Sequence, residues 1–314
     1  MSIVRSSTLA TFLVDTRSHV EAALDRFLPK PPACPPLISE AMRYSLLGGG
    51  KRLRPVLVVA AADAVGRRNG AETLALALPA ACAVEFIHTY SLIHDDLPAM
   101  DNDCLRRGRP TLHTVYGDGI AILAGDALQG EAFALMAREP QTDAPAVVAR
   151  KIAAIGVVAS AAAACGMVGG QAVDLQAAGQ VPGHALTLDA EQLRAMHLQK
   201  TGALIRASAV AGAIMAGATP AQLRAIEQWG SEVGLAFQIV DDILDVEGDA
   251  AALGKTAGKD AASDKPTYTS LFGLERAKAM ASDCAERAHQ VLVAADLTDS
   301  WLDAIADWVI ARRN

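Results

Sequence analysis

The stretch Asp95-Asp96-Leu97-Pro98-Ala99-Met100-Asp101-Asn102-Asp103 places four carboxylates within nine residues, and at that density they repel one another unless cations lie between them. Asp and Asn are poor helix formers and Pro98 lacks a backbone donor, so a helix arriving from upstream ends here and delivers Asp95 and Asp96 at its C-terminus. A helix C-terminus carries partial negative charge and prefers cations to carboxylates. Oxygen donors this crowded suit a hard divalent ion such as Mg2+, held by a few carboxylates together with substrate phosphates. The plainer reading of the stretch alone is a solvated acidic turn.

Outward from this stretch the chain reads as helical. Hydrophobic residues make up 52% of the 314 positions but aromatics only 4%, with Ala dominant, and Ala, Leu, Arg and Glu favour helix. The alternation expected of strands is hard to find. We therefore expect one large all-α domain over residues 1–314.

The net charge of −7 equals the seven aspartates Asp95, Asp96, Asp101, Asp103, Asp241, Asp242 and Asp245, so the remaining residues balance. Without a basic excess, no nucleic-acid partner is expected. Five scattered cysteines, odd in number and without CxxC spacing, suggest reduced thiols in a cytoplasmic protein. No signal peptide is read at the N-terminus. The uncharged run Ile152–Val173, 22 residues long, could span a bilayer by length. It is rich in Ala, Gly and Ser, so a packed core helix is expected and no membrane span.

In chain order, a first helix within residues 1–28 stops at a proline-rich connector, Pro29 to Pro36. A short helix over Leu37–Leu47 closes at Gly48-Gly49-Gly50, which suit a left-handed cap. Pro55 fits the first position of the next helix, preceded by Lys51, Arg52 and Arg54. Three cations at a helix N-terminus make sense if a phosphate docks there; the alternative is a solvated basic turn.

A helix over Ala71–Leu97, broken near Pro79, would place His88, Ser91 and Asp95 on one face, with Tyr90 about 7.5 Å below the acidic stretch at 1.5 Å per residue. His88 by itself reads as a hydrogen-bonded core residue. Arg106, Arg107 and Arg109 follow the acidic stretch and could neutralise it or grip a phosphate bidentately. Further helices are expected at Asp118–Ala137, Ala144–Leu175 and Asp189–Gly217, the last opened by the capping pair Asp189/Gln192.

Thr219-Pro220 opens a helix that reaches about Val246. On it Gln238, Asp241, Asp242 and Asp245 share one stripe, and the like charges at Asp241 and Asp245 cost a few tenths of a kcal/mol unless a cation intervenes. Two acidic clusters on separate helices are the chain's strongest chemical signal, and Lys200, Lys255, Lys259 and Lys265 could assist the same anion.

These residues carry a resemblance. GGKRLRP (Gly49–Pro55), DDLPAMD (Asp95–Asp101), RRGRPT (Arg106–Thr111), GDAL (Gly125–Leu128), GGQAVDL (Gly170–Leu175 with its leading residue Gly169), KTG (Lys200–Gly202) and FQIVDDILD (Phe237–Asp245) occur in the order seen in short-chain trans-isoprenyl diphosphate synthases. The chain resembles that family along nearly its whole length, most closely the bacterial farnesyl-length members.

The resemblance implies an isoprenoid-synthase helical bundle around a central active-site cavity, in a homodimer. It implies head-to-tail condensation of isopentenyl diphosphate with an allylic diphosphate, dimethylallyl or geranyl. Three Mg2+ ions, with Mn2+ a possible substitute, would be held by Asp95, Asp96 and Asp101 on one wall and Asp241, Asp242 and Asp245 on the other. Ionisation would give an allylic carbocation, and the released diphosphate would take the proton.

By position, Lys51, Arg54, His88 and Arg107 would grip isopentenyl diphosphate, and Arg106, Lys200 and Lys255 the allylic diphosphate. Thr201, Gln238 and Lys265 would line the site, with Gln171 and Asp174 nearby. Tyr90 and Ser91 would form the floor that sets a C15 product. Arg312 and Arg313 either close over the site or stay solvated. Geranyl or geranylgeranyl length is the alternative; a class I terpene cyclase and a non-catalytic helical partner subunit fit the two intact DD clusters less well.

Overall fold

The structure, a computed structural model, describes residues 8–66, 70–247 and 267–312. Lys255, Lys259, Lys265 and Arg313 lie outside the described residues. The Ala- and Leu-rich composition is realised as helix: α1 (Leu9–Phe27), α2 (Pro36–Leu46), α3 (Leu53–Val65), α4 (Gly70–Asp95), α5 (Leu112–Tyr116), α6 (Asp118–Arg138), α7 (Pro145–Ala162), α8 (Met167–Ala177), α9 (Ala190–His197), a π-helical turn (Leu198–Gly202), α10 (Ala203–Ala216), α11 (Pro220–Glu247), α12 (Tyr268–Phe272), α13 (Leu274–Ala294) and α14 (Trp301–Ala311). Among the described residues the only strands are a hairpin of two residues on each side, β1 (Leu105–Arg106) and β2 (Arg109–Pro110).

Helix α10 is the axis of the bundle. Its residues Ala203, Leu204, Ile205 and Ala207 to Ala213 are buried almost without interruption, as expected of a helix apolar on all sides. It packs against α3, α4, α7 and α11. Gly212 allows the closest approach, since a Cβ there would lie 2.8 Å from the Val58 carbonyl carbon on α3. Two apolar clusters, one centred on α4 and α6 and the other on α11, α13 and α14, both draw on α3 and α10 and so flank the same axis.

Several boundaries differ from the sequence reading. Pro79 does not break α4, which continues through it from Gly70 to Asp95. Pro55 is the third residue of α3, which begins at Leu53 behind a left-handed Arg52, φ 53°. The expected helix 144–175 divides at Ala163–Gly166, where a Cβ on Gly166 would lie 2.7 Å from the Ala161 carbonyl carbon. The expected helix 189–217 is interrupted by the π-turn, although Asp189 and Gln192 form the anticipated capping box.

By length and composition three segments could cross a membrane: Glu72–Asp95, Asp118–Arg138 and Pro145–Ala177. In the first, 72% of the apolar window is buried within the bundle, so the core explains its hydrophobicity, whereas in the third, which holds Ile152–Val173, only 33% is buried and the packed core helix expected there is not met.

The C-terminal helix α14 is clamped to α13 by His289, whose Nδ1 lies 2.7 Å from Asp303 and whose Nε2 lies 2.8 Å from Asp307. Burial opposes protonation, but the two carboxylates outweigh it and raise the imidazole above its usual value. A raised histidine stabilises the fold fully below its unfolded value of about 6.5, and that stabilisation is lost as the pH rises through the folded value. The melting-temperature gap between wild type and His289→Gln is therefore expected to be widest near pH 5 and to close in alkaline buffer. A gap independent of pH in a thermal-shift series would refute this coupling.

Candidate active site

Helix α4 ends at Asp95 because the next turn folds back on it. The Asp101 amide donates to the Asp95 carbonyl at 2.8 Å and the Asp103 amide to the Asp96 carbonyl at 3.1 Å. Asn102 takes a left-handed φ of 51° to permit this, a conformation that Asn tolerates better than most residues. The loop thereby brings Asp101 beside Asp95.

The β1–β2 hairpin turns through Arg107 and Gly108, both left-handed at φ 53° and 73°, the pattern of a type I′ turn. The turn carries the Arg107 guanidinium to the Gly49 carbonyl. Gly50, at φ 134°, leaves the space that Arg107 occupies: a Cβ would lie 2.6 Å from its guanidinium carbon.

A cavity of about 660 Å³ opens between α4, α8, the π-turn and α11. Asp95, Asp101, Arg106, Arg54, His88, Tyr90, Ser91, Asp241, Asp242, Gln238, Thr201, Lys200, Gln171 and Asp174 all line it. The π-turn matters here, because its extra residue shifts Lys200 and Thr201 off the regular helical track and onto the wall. Gly170 lets α8 approach that turn, since a Cβ would lie 2.7 Å from the Lys200 Cα.

The electrostatics are those of charges pressed together. Burial pushes the Asp95 carboxyl up to about 6, with Asp101 and Asp96 adding to the rise against Lys200 and Arg106. Lys200 donates to Asp174 at 2.7 Å, and Asp174 and Asp95 hold it protonated despite its burial. Arg54 falls to about 10 through burial, partly offset by Glu85 and Asp241. His88 falls well below its usual value through burial and the surrounding arginines, Arg54 foremost, and is neutral.

The acidic residues divide differently from the expectation. Asp96 faces a smaller adjoining pocket with Arg107 and is 4% exposed. It accepts from Arg106 Nε at 2.7 and 2.9 Å, with Nη2 at 2.6 Å. Asp242 accepts from the Tyr268 amide at 2.8 Å and from Gln238 at 3.2 Å, which ties α12 to α11. Asp241 pairs at 2.7 Å with Arg312. The Arg312 guanidinium also donates to the Phe237 carbonyl at 2.6 Å and stacks 3.8 Å above that ring. Asp245 is not among the cavity-lining residues. Among the described residues no three acidic or histidine side chains converge into one ready metal group, because arginines hold Asp96 and Asp241.

Of the three cations at the start of α3, Arg54 lines the cavity. Lys51 lies within the field of Arg312, Asp241 and Arg107 and is lowered mainly by burial. Arg52 turns inward instead, 2.8 Å from Glu85 and 2.7 Å from the Leu46 carbonyl, so it is a structural residue. Its partner could have been suspected as the lone acid in the apolar run of α4. Arg312, expected either to close over the site or to stay solvated, takes the first course through its pairing with Asp241.

The family model described as polyprenyl synthetase matches residues 35–295. The chain is 48% identical over 296 residues to the farnesyl diphosphate synthase of Escherichia coli (strain K12), covering 92% of this chain and 94% of that protein. It is 42% identical to the geranylgeranyl diphosphate synthase of Cyanophora paradoxa, covering 98% and 97%. Among solved structures, a geranyltransferase from Helicobacter pylori complexed with magnesium and isoprenyl diphosphate superposes with a TM-score of 0.82 at 32% identity, covering 98% of this chain and 97% of that one.

Proposed function

The chain belongs to the polyprenyl synthetase family, and on that premise we propose that this trans-prenyltransferase condenses isopentenyl diphosphate with dimethylallyl and then geranyl diphosphate to give farnesyl diphosphate. The observation that carries the reading is one cavity lined by Asp95, Asp101, Asp241 and Asp242 together with Arg54, Arg106 and Lys200. Relatives that make farnesyl and geranylgeranyl diphosphates support the reaction class.

The donor set fits Mg2+: hard carboxylate oxygens, with Asp95 raised to about 6 by burial and its acidic neighbours, a penalty that a divalent cation removes. Asp95, Asp96, Asp101, Asp241, Asp242 and Asp245 would hold three ions, with Arg106 and Arg312 yielding Asp96 and Asp241. Bound there, Mg2+ supplies electrostatic stabilisation of the charge that builds on the allylic diphosphate as it leaves.

The chain's own residues do the rest. Arg106 and Lys200 grip the allylic diphosphate, with Lys255 assigned the same task outside the described residues. Lys51, Arg54 and Arg107 grip the isopentenyl diphosphate, and neutral His88 offers it a hydrogen bond without adding charge. Thr201 and Gln238 line the cavity, and Lys265 would do so from outside the described residues.

Tyr90 and Ser91 line the cavity one turn below Asp95, and Tyr90 is only 6% exposed, which supports a floor that stops growth at C15. With dimethylallyl and isopentenyl diphosphates and Mg2+, chromatography is expected to show mainly C15, and Tyr90→Ala mainly longer chains. Predominant C20 or C10 from the wild type would overturn the assigned length. Diphosphate release without isopentenyl diphosphate would point to a cyclase instead.

The assembly we propose is a homodimer through α6 and α7, where Leu123 and Ile152 are 54% and 67% exposed, apolar area that favours a partner surface. All five cysteines are free, which supports a reducing, cytoplasmic location.

A further inference from the structure

We propose that His94, given room by the glycine at position 125, is a positioning residue for product length: it braces the Tyr90 ring across the end of the elongation pocket. The inference rests on the reading of Tyr90 as the pocket floor.

His94 lies one turn above Tyr90 on α4, and both side chains line the cavity. Their rings meet edge-on, with centroids 5.7 Å apart and planes at 73°. Behind them runs α6. The imidazole Nε2 donates to the Ile122 carbonyl at 3.2 Å, with the Asp126 carboxylate 3.8 Å from the same nitrogen. A Cβ at position 125 would approach the imidazole Cδ2 to 2.6 Å and Cε1 to 3.0 Å, so any side chain there evicts His94 from its seat. One turn further along α6, Gln129 faces the Tyr90 hydroxyl.

The two helices therefore interlock as a stack, with the backbone of α6 holding His94 and His94 holding Tyr90. A growing chain lengthens by five carbons at each condensation, and it passes the floor only if the Tyr90 ring swings aside. Rotation of Tyr90 toward His94 is blocked while the imidazole is seated. Loss of one edge-on ring contact changes a rotamer population by about two- to tenfold.

The test is the C20:C15 product ratio of the purified full chain given dimethylallyl and isopentenyl diphosphates with Mg2+. His94→Ala is expected to raise the ratio about two- to tenfold, and His94→Gln, whose amide nitrogen can replace Nε2 as donor to the Ile122 carbonyl but which has no ring, to do the same. In a Tyr90→Ala background neither is expected to raise it further, because the braced group is gone. If Tyr90→Ala itself leaves product length unchanged, the floor reading fails. If Tyr90→Ala lengthens the product while both His94 variants keep the wild-type ratio, or if their effects add in full to that of Tyr90→Ala, the brace fails and the floor stands. Should the alanine variant not fold, the glutamine variant decides.

Discussion

Asp95→Ala is expected to lower turnover by roughly a thousandfold or more, the scale of several kcal/mol of lost charge stabilisation, while leaving the fold intact. The two halves of that expectation have one cause. The Asp95 carboxyl is raised to about 6, first by burial, so its ionised form is held in the folded protein against a cost. A carboxyl whose folded value lies above its unfolded value destabilises the fold progressively as the pH rises from about 4 through the folded value. At neutral pH alanine removes that cost, so the melting temperature without added Mg2+ should stay level or rise. The increase produced by Mg2+ should shrink, because a hard-oxygen donor has been deleted. Steady-state kinetics beside calorimetry in EDTA and in Mg2+ decide the matter. Turnover near wild type, or a collapse of the apo melting temperature, would remove Asp95 from its proposed role.

The largest effect on stability is expected at Glu85→Ala. Glu85 and Arg52 are 2% and 3% exposed, and their 2.8 Å contact is reinforced by the Leu46 carbonyl on the same guanidinium. Deleting the carboxylate leaves the arginine charge buried and poorly compensated; Glu21 is its other acidic neighbour, at 3.6 Å from Nε. Breaking a buried pair in this way costs about 3–5 kcal/mol, a fall in melting temperature on the order of 10 °C. Replacing both partners, as in Arg52→Met with Glu85→Leu, should recover much of the loss, since no uncompensated charge remains. A loss below about 1 kcal/mol by denaturant titration would show that the pair is not the anchor. Because Arg52 lies between Lys51 and Arg54 and opens α3 in a left-handed conformation, the same variant should also weaken the grip on isopentenyl diphosphate.

Much of the site was legible because chemistry that is costly to misplace leaves dense signals. Repelling aspartates at Asp95–Asp103 and again at Asp241–Asp245 pointed to cations before any fold was known. Local rules also located the end of α4, the start of α11 and the Asp189 capping box. The failures share one character: each concerns a choice made by distant neighbours. Pro79 stays helical because packing overrides propensity. Arg52 and Arg54, two residues apart and alike in type, part company only because Glu85 is buried 33 positions away. The π-turn that projects Lys200 and Thr201 becomes visible only where α8 crosses it at Gly170.

By itself, the sequence determined that this protein is all-helical, that it carries two acidic walls and a basic approach, and that Tyr90 lies beneath the first wall. These follow from composition, helical period and charge repulsion, which act over a few residues. The tertiary structure alone decided which carboxylates are held by arginines, Asp96 by Arg106 and Asp241 by Arg312, and which stand open to the cavity. It also seated His94 against Gly125 behind the floor. Those outcomes depend on the distance between groups remote in the chain, and Coulomb and packing energies change with that distance in a way no local pattern encodes.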